Sequence, residues 1–164
     1  MKVNCALVSL LPLLLLGGCA AYVPPTLAPV PRVGTEVSAS FGRTWDAVID
    51  VFAERNIGIK TLDRSSGLVV AENGSVRLVD GKAWADCGSY PGAQRGSPAE
   101  AAVIASVATY NILVRGDSTR AVVKATVQFS SPALKVIQPS GECVSRGVWE
   151  KGVEEEISTR VQRK

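Results

Sequence analysis

Arg120-Ala-Val-Val-Lys-Ala-Thr-Val-Gln-Phe-Ser130 is the stretch that decides the fold. Ala121, Val123, Ala125, Val127 and Phe129 alternate with Arg120, Lys124, Thr126, Gln128 and Ser130. Val122 is the one break in the polar set. A period of two means that one face is buried and the other meets water, the mark of a half-buried antiparallel strand. Val107 to Arg115 is a second β-rich run, and Gly116-Asp-Ser-Thr119 between them supplies turn residues, so the two arms predict a long hairpin.

C-terminal to the hairpin, Trp149, Val153, Ile157 and Val161 recur at steps of four, with Val148 widening the stripe. This predicts a helix over about 146–162 with one narrow apolar face, which needs a sheet to lie on. Glu156 and Arg160 are spaced for an i, i+4 pair. Glu154, Glu155 and Glu156 read as solvated helix surface, a metal or partner patch being the sharper alternative. Arg160, Arg163 and Lys164 complement a helix C-terminus.

N-terminal to the hairpin, Thr35 to Ser40 reads as a short strand whose last residue is an N-cap. Phe41, Trp45, Val48, Ile49 and Phe52 follow at helical spacing, with Asp46, Asp50 and Glu54 on another, solvated face. Asn56 suits a left-handed cap. Ile57 to Asp63 and Leu68 to Glu72, joined by the turn residues 63–67, predict a second hairpin, and Asn73-Gly74 another turn. Gly88 to Pro98 is Gly/Pro-rich loop, after which Ser97-Pro98-Ala99-Glu100 resembles a capping box opening a short helix to about Ala105. The fold class expected is α+β: an antiparallel sheet of about four to six strands with two main helices on one face.

The succession of short strand, Phe41 and Trp45 opening a helix, and then a strand ending in Asp63-x-x-x-Gly67-Leu68-Val69 resembles the helix-grip modules of BamC-type lipoproteins. The resemblance covers about 35 residues of the domain, as counted against a fold-level pattern. It implies a helix-grip-like module working in outer-membrane assembly machinery. This chain has room for one module where that family has two, and it carries additional cysteines.

The first eighteen residues read as a secretory signal, with Lys2 as the positive region and Ala6 to Leu16 as the apolar one. That run is shorter than the twenty or so residues a spanning helix needs. Leu16-Gly17-Gly18-Cys19 resembles the lipobox of bacterial lipoproteins, which implies cleavage between Gly18 and Cys19 and lipid on the Cys19 thiol. Ordinary cleavage without lipid is the alternative, which bulky Leu16 fits less well. With about 0.8 kcal/mol per buried methylene, two or more acyl chains anchor a protein stably. Ala20 stands where Asp retains such lipoproteins at the inner membrane, so the resemblance implies the outer membrane with the domain facing the periplasm. Residues 19–34 contain Pro24, Pro25, Pro29 and Pro31 and predict an extended linker, a Pro-rich ligand for a partner being the other option. The folded domain is then 35–164.

Cys5 leaves with the signal and Cys19 takes lipid, which leaves Cys87 and Cys143 as a disulfide in an oxidising compartment. Closing that loop corresponds to about 4 kcal/mol in the chain-entropy model. A redox pair is the alternative, without Cys-x-x-Cys spacing to favour it. The chain has no histidine, which removes Ser-His-Asp, Cys-His and His-ligated metal chemistry. No metal ligand set, catalytic residue or cofactor is expected, and the scattered basic residues lack the stripe of a nucleic-acid binder. Trp84 and Tyr90, beside and within the loop, are the candidate partner contacts, or else pack the loop itself. Three functions follow: a non-catalytic adaptor or structural component of an envelope complex, a module binding a small apolar ligand or lipid, and an enzyme with an unrecognised site.

Overall fold

The alternation in the central stretch and its partner produces one hairpin on which the domain is built. In the computed structural model, which describes residues 21–29, 32–136 and 141–163, the chain runs β1 (Thr35–Val37), α1 (Phe41–Glu54), β2 (Ile59–Asp63), β3 (Leu68–Ala71) and β4 (Gly74–Ser75). It continues through α2 (Leu78–Trp84), β5 (Ala85–Asp86), α3 (Pro98–Ala102), β6 (Val107–Gly116) and β7 (Ala121–Ser130). A 3-10 turn at Pro132–Val136, β8 (Glu142–Ser145) and α4 (Val148–Arg163) complete it. β6 and β7 pair along their whole length, which sets Ala108, Tyr110, Ile112 and Val114 against Phe129, Val127, Ala125 and Val123 on one buried face. Lys124, Thr126 and Gln128 occupy the opposite, exposed face.

The class is α+β, and the described sheet is antiparallel, with eight strands in place of four to six. The additional strands β4, β5 and β8 are two to four residues long. No alternation can register over so few positions, so they exist only by pairing with longer neighbours. β3 and β4 pair with β6 in turn, and β1 and β8 with β7, so each arm of the hairpin carries two short strands on its outer edge.

Helices α1 and α4 cover the buried face. Trp45, Val48, Val51 and Phe52 of α1 and Trp149, Val153, Ile157 and Val161 of α4 are all buried. Val148 does not widen the α4 stripe; it is 52% exposed, because the first helical residue turns away from the sheet. The α1 ends are as expected: Ser40 Oγ accepts from the Arg43 amide at 3.3 Å, and Asn56 adopts φ 53°. Arg43 in turn donates to the Val161 carbonyl at 2.8 Å, satisfying the last turn of α4. The α1 carboxylate Glu54 pairs with Arg160, and Glu156 lies 3.8 Å from the same guanidinium. These exposed pairs contribute little individually. Ser97 caps α3 as expected, while Glu100 reaches back to the Gly96 amide.

The β6–β7 turn is fastened by one side chain. Asp117 Oδ1 accepts from the amides of Thr119 and Arg120 at 2.7 and 3.0 Å and from the Thr119 hydroxyl at 2.8 Å. Its carbonyl accepts from the Phe41 amide, so the turn also holds the start of α1. Those hydrogen bonds hold the Asp117 carboxyl at about 2, below its ordinary 3.8. The unfolded chain therefore takes up this proton before the folded one does. The stabilisation is complete above about pH 4 and is lost as pH falls through about 2. Urea midpoints at pH 5 and at pH 2.5 should differ less for Asp117→Asn than for the parent. An unchanged difference would place this part of the acid sensitivity elsewhere.

Candidate functional site

Strand β7 has an interrupted outer edge. β1 pairs with it only from Ala121 to Val123, and β8 only at Phe129 and Ser130. In the gap, the Ala125 amide donates to Glu154 Oε1 at 2.9 Å, so a side chain of α4 completes what the ladder leaves open. The other oxygen, Oε2, accepts from the Thr35 hydroxyl at 2.7 Å and from Arg32 Nη2 at 3.0 Å. Arg32 Nη1 also donates to the Gly147 carbonyl at 3.0 Å, just ahead of α4.

Glu154 is thus 2% exposed, not solvated surface as its place in a run of three glutamates implies. It follows Val153 on the helix, and that one-residue offset turns it from the apolar stripe toward the β7 edge. Glu155 and Glu156 do lie at the surface, facing Lys151 at 3.7 Å and Arg55 respectively.

One turn earlier, Glu150 is also buried, at 3% exposure. Its Oε1 accepts from the Ser145 hydroxyl at 2.7 Å, and Ser145 Oγ accepts from the Gly147 amide at 3.0 Å. Glu150 Oε2 has no protein partner, and neither has Arg32 Nε. Both residues line a groove of about 570 Å³, together with Pro25, Pro29, Lys124 and Ser145. Chemically the groove has in its lining a buried carboxylate with one unpartnered oxygen and, along its wall, the cations Arg32 and Lys124, which suits a ligand that donates a hydrogen bond.

Residues expected as a free spacer form this wall. Val23 and Ser89 exchange two backbone hydrogen bonds of 2.8 Å, and the Tyr22 hydroxyl donates to the Cys87 carbonyl at 3.0 Å. With Arg32 held at the other end, the described part of the linker is a strap across the domain. The prolines predict its extended geometry; its docking depends on partners more than sixty residues away. Gly88 permits that docking, since it has φ +84° and a Cβ there would sit 2.3 Å from the Val23 carbonyl oxygen.

Cys87 and Cys143 are joined, with 4.2 Å between their Cα atoms. The β5–β8 ladder pairs Ala85 with Ser145 and Asp86 with Val144, so the two cysteines continue the same register. Trp84 is half-buried and packs against the core, its ring centroid 6.3 Å from that of Phe129. Tyr90 is half-buried and packs on Tyr22 at 5.7 Å. The two aromatics are therefore not one patch: Trp84 joins the core, and Tyr90 joins the strap. Gly18 and Cys19, the signal before them, Pro31 and Lys164 lie outside the described residues.

Among the described residues, no group of three or more Cys, Asp or Glu is placed to hold a metal ion, and no helix is long and apolar enough to cross a membrane. No protein-family model matches the chain, and no curated protein matches it. Arg32, Glu150 and Glu154 were not legible as site residues because a carboxylate beside an apolar stripe ordinarily sits at its wet rim. Removing one member of a buried charge pair leaves the other uncompensated. Glu154→Ala should lower unfolding free energy by about 3 kcal/mol in urea titration. A loss under about 1 kcal/mol would mean that Arg32, Thr35 and Ala125 find water instead.

Proposed function

We propose that this chain is a lipid-anchored protein of the bacterial cell envelope, held through Cys19 at the periplasmic face of the outer membrane and serving as a non-catalytic adaptor or structural component of an envelope complex. The observation that carries the reading is the order Lys2, the apolar run Ala6 to Leu16, and Leu16-Gly17-Gly18-Cys19, set directly ahead of a folded domain. The Cys87–Cys143 bond supports it, since structural disulfides belong to exported chains. Two long helices on one face of an antiparallel sheet are also what a helix-grip module of the BamC type would require, and that finer likeness is part of the proposal.

A small-ligand binding module is the second reading, favoured by the unpartnered Glu150 Oε2 in the strap groove. The helix–sheet interface is filled by Phe52, Ile112 and Ile157, so the groove is the better candidate cavity. Native mass spectrometry of the purified protein with a co-purified small molecule, lost in Glu150→Leu, is the outcome expected of that reading.

Cys19→Ala should move the protein from the membrane to the soluble fraction; retention of the variant in membranes would contradict the anchor. Cross-linking in intact cells, followed by purification from detergent-solubilised membrane, should recover an envelope component in stoichiometric amount. Recovery of the chain alone would contradict the adaptor role.

A further inference from the structure

The strap fixes how far the domain can stand from whatever holds Cys19. If only Arg32 tied residues 19–32 to the domain, thirteen extended residues would allow a reach of about 40 Å. The Val23–Ser89 bridge and the Tyr22–Cys87 hydrogen bond intercept the chain much earlier. Only three residue steps separate Cys19 from Tyr22, which is about 10 Å of chain at full extension.

The point of interception lies at one end of the domain. Cys143 is paired with Phe129, and the Ser106 amide bonds the Ser130 carbonyl, so Cys87 to Tyr90 belong to the end of the central hairpin where β6 begins and β7 finishes. The β6–β7 turn and the start of α1 mark the other end. Ten residues of strand at about 3.3 Å each put the two ends roughly 30 Å apart. The anchored end also carries side chains suited to a headgroup layer. Tyr22 and Tyr90 pack together there, and Pro91, Gln94 and Arg95 of the adjoining loop are exposed. Tyrosine favours the membrane–water boundary, and arginine can bury its stem while its charge meets phosphate.

We propose that the 88–96 loop, with Tyr22 and Tyr90, is the surface this domain lays against the lipid headgroups of the membrane that carries its Cys19 anchor. This rests on the lipid-anchor reading. The segment that sequence alone reads as a spacer then does the opposite: it holds the domain down, with the β6–β7 turn and the N-terminal end of α1 directed away from the bilayer.

The test uses the full lipidated chain in vesicles of phosphatidylethanolamine and phosphatidylglycerol, with a photo-cross-linking amino acid at Gln94 or at Ser118. After irradiation, lipid adducts are counted by mass spectrometry on protein that floats with the vesicles. Position 94 should give a several-fold excess of lipid adducts over position 118. A Tyr22→Ala, Val23→Pro double variant, which removes the bridge and the Tyr22 ring at the margin of the core, should float equally well and lose the excess. Equal labelling of the two positions in floating parent protein would overturn the orientation while leaving the anchor intact. Adducts at position 94 to a second copy of the chain, in place of lipid, would overturn it too. Failure of the chain to float would overturn the anchor, and the orientation with it.

Discussion

A buried carboxylate, Glu154, is the interaction on which the arrangement of this domain depends. It joins three stretches far apart in sequence: α4, the β7 edge through the Ala125 amide, and the passage from the strap into β1 through Arg32 and Thr35. Burial of an unpaired carboxylate costs several kcal/mol, so Glu154 can be 2% exposed only because each oxygen has donors. The same requirement explains the interrupted edge of β7. If β1 or β8 were longer, the Ala125 amide would bond to a strand and Glu154 would lose its reason to be inside.

The strap follows from this. Arg32 supplies the positive charge that Glu154 needs, and Pro25 and Pro29, which follow the Val23–Ser89 bridge, line the same groove as Arg32. The disulfide makes that bridge point rigid, since β5 is two residues long and would hold poorly by its own ladder. Strap, disulfide and buried ion pair thus act in series, and if Cys19 carries the proposed lipid, the proposed orientation of the domain is their joint consequence.

What could be read in advance divides along physical lines. Elements with period were visible: the alternation in Ala121–Phe129, the steps of four in Trp149–Val161, and the Phe41–Phe52 face. Caps and turns were visible as well, because Ser40, Asn56 and Ser97 act on their immediate neighbours. The disulfide was reached by elimination among four cysteines. Short strands were hidden because two to four residues carry no period, and their existence is decided by β6, β7 and β8. The site was hidden for a related reason. Glu150 and Glu154 look like any helix carboxylates, and Arg32 like any linker cation, until the third dimension brings them to one gap in the sheet. Glu150 Oε2 remains without a protein donor, which marks it as the part of this cluster with capacity to spare.

The most direct test of this dependence is a double-mutant cycle on Arg32→Met and Glu154→Gln, measured by urea denaturation at pH 7. If the buried pair ties the strap to the domain, the two changes should be strongly non-additive, with a coupling of about 1–2 kcal/mol. Additivity to within about 0.5 kcal/mol would contradict it, and would make the strap an ornament of the fold instead of a part of it.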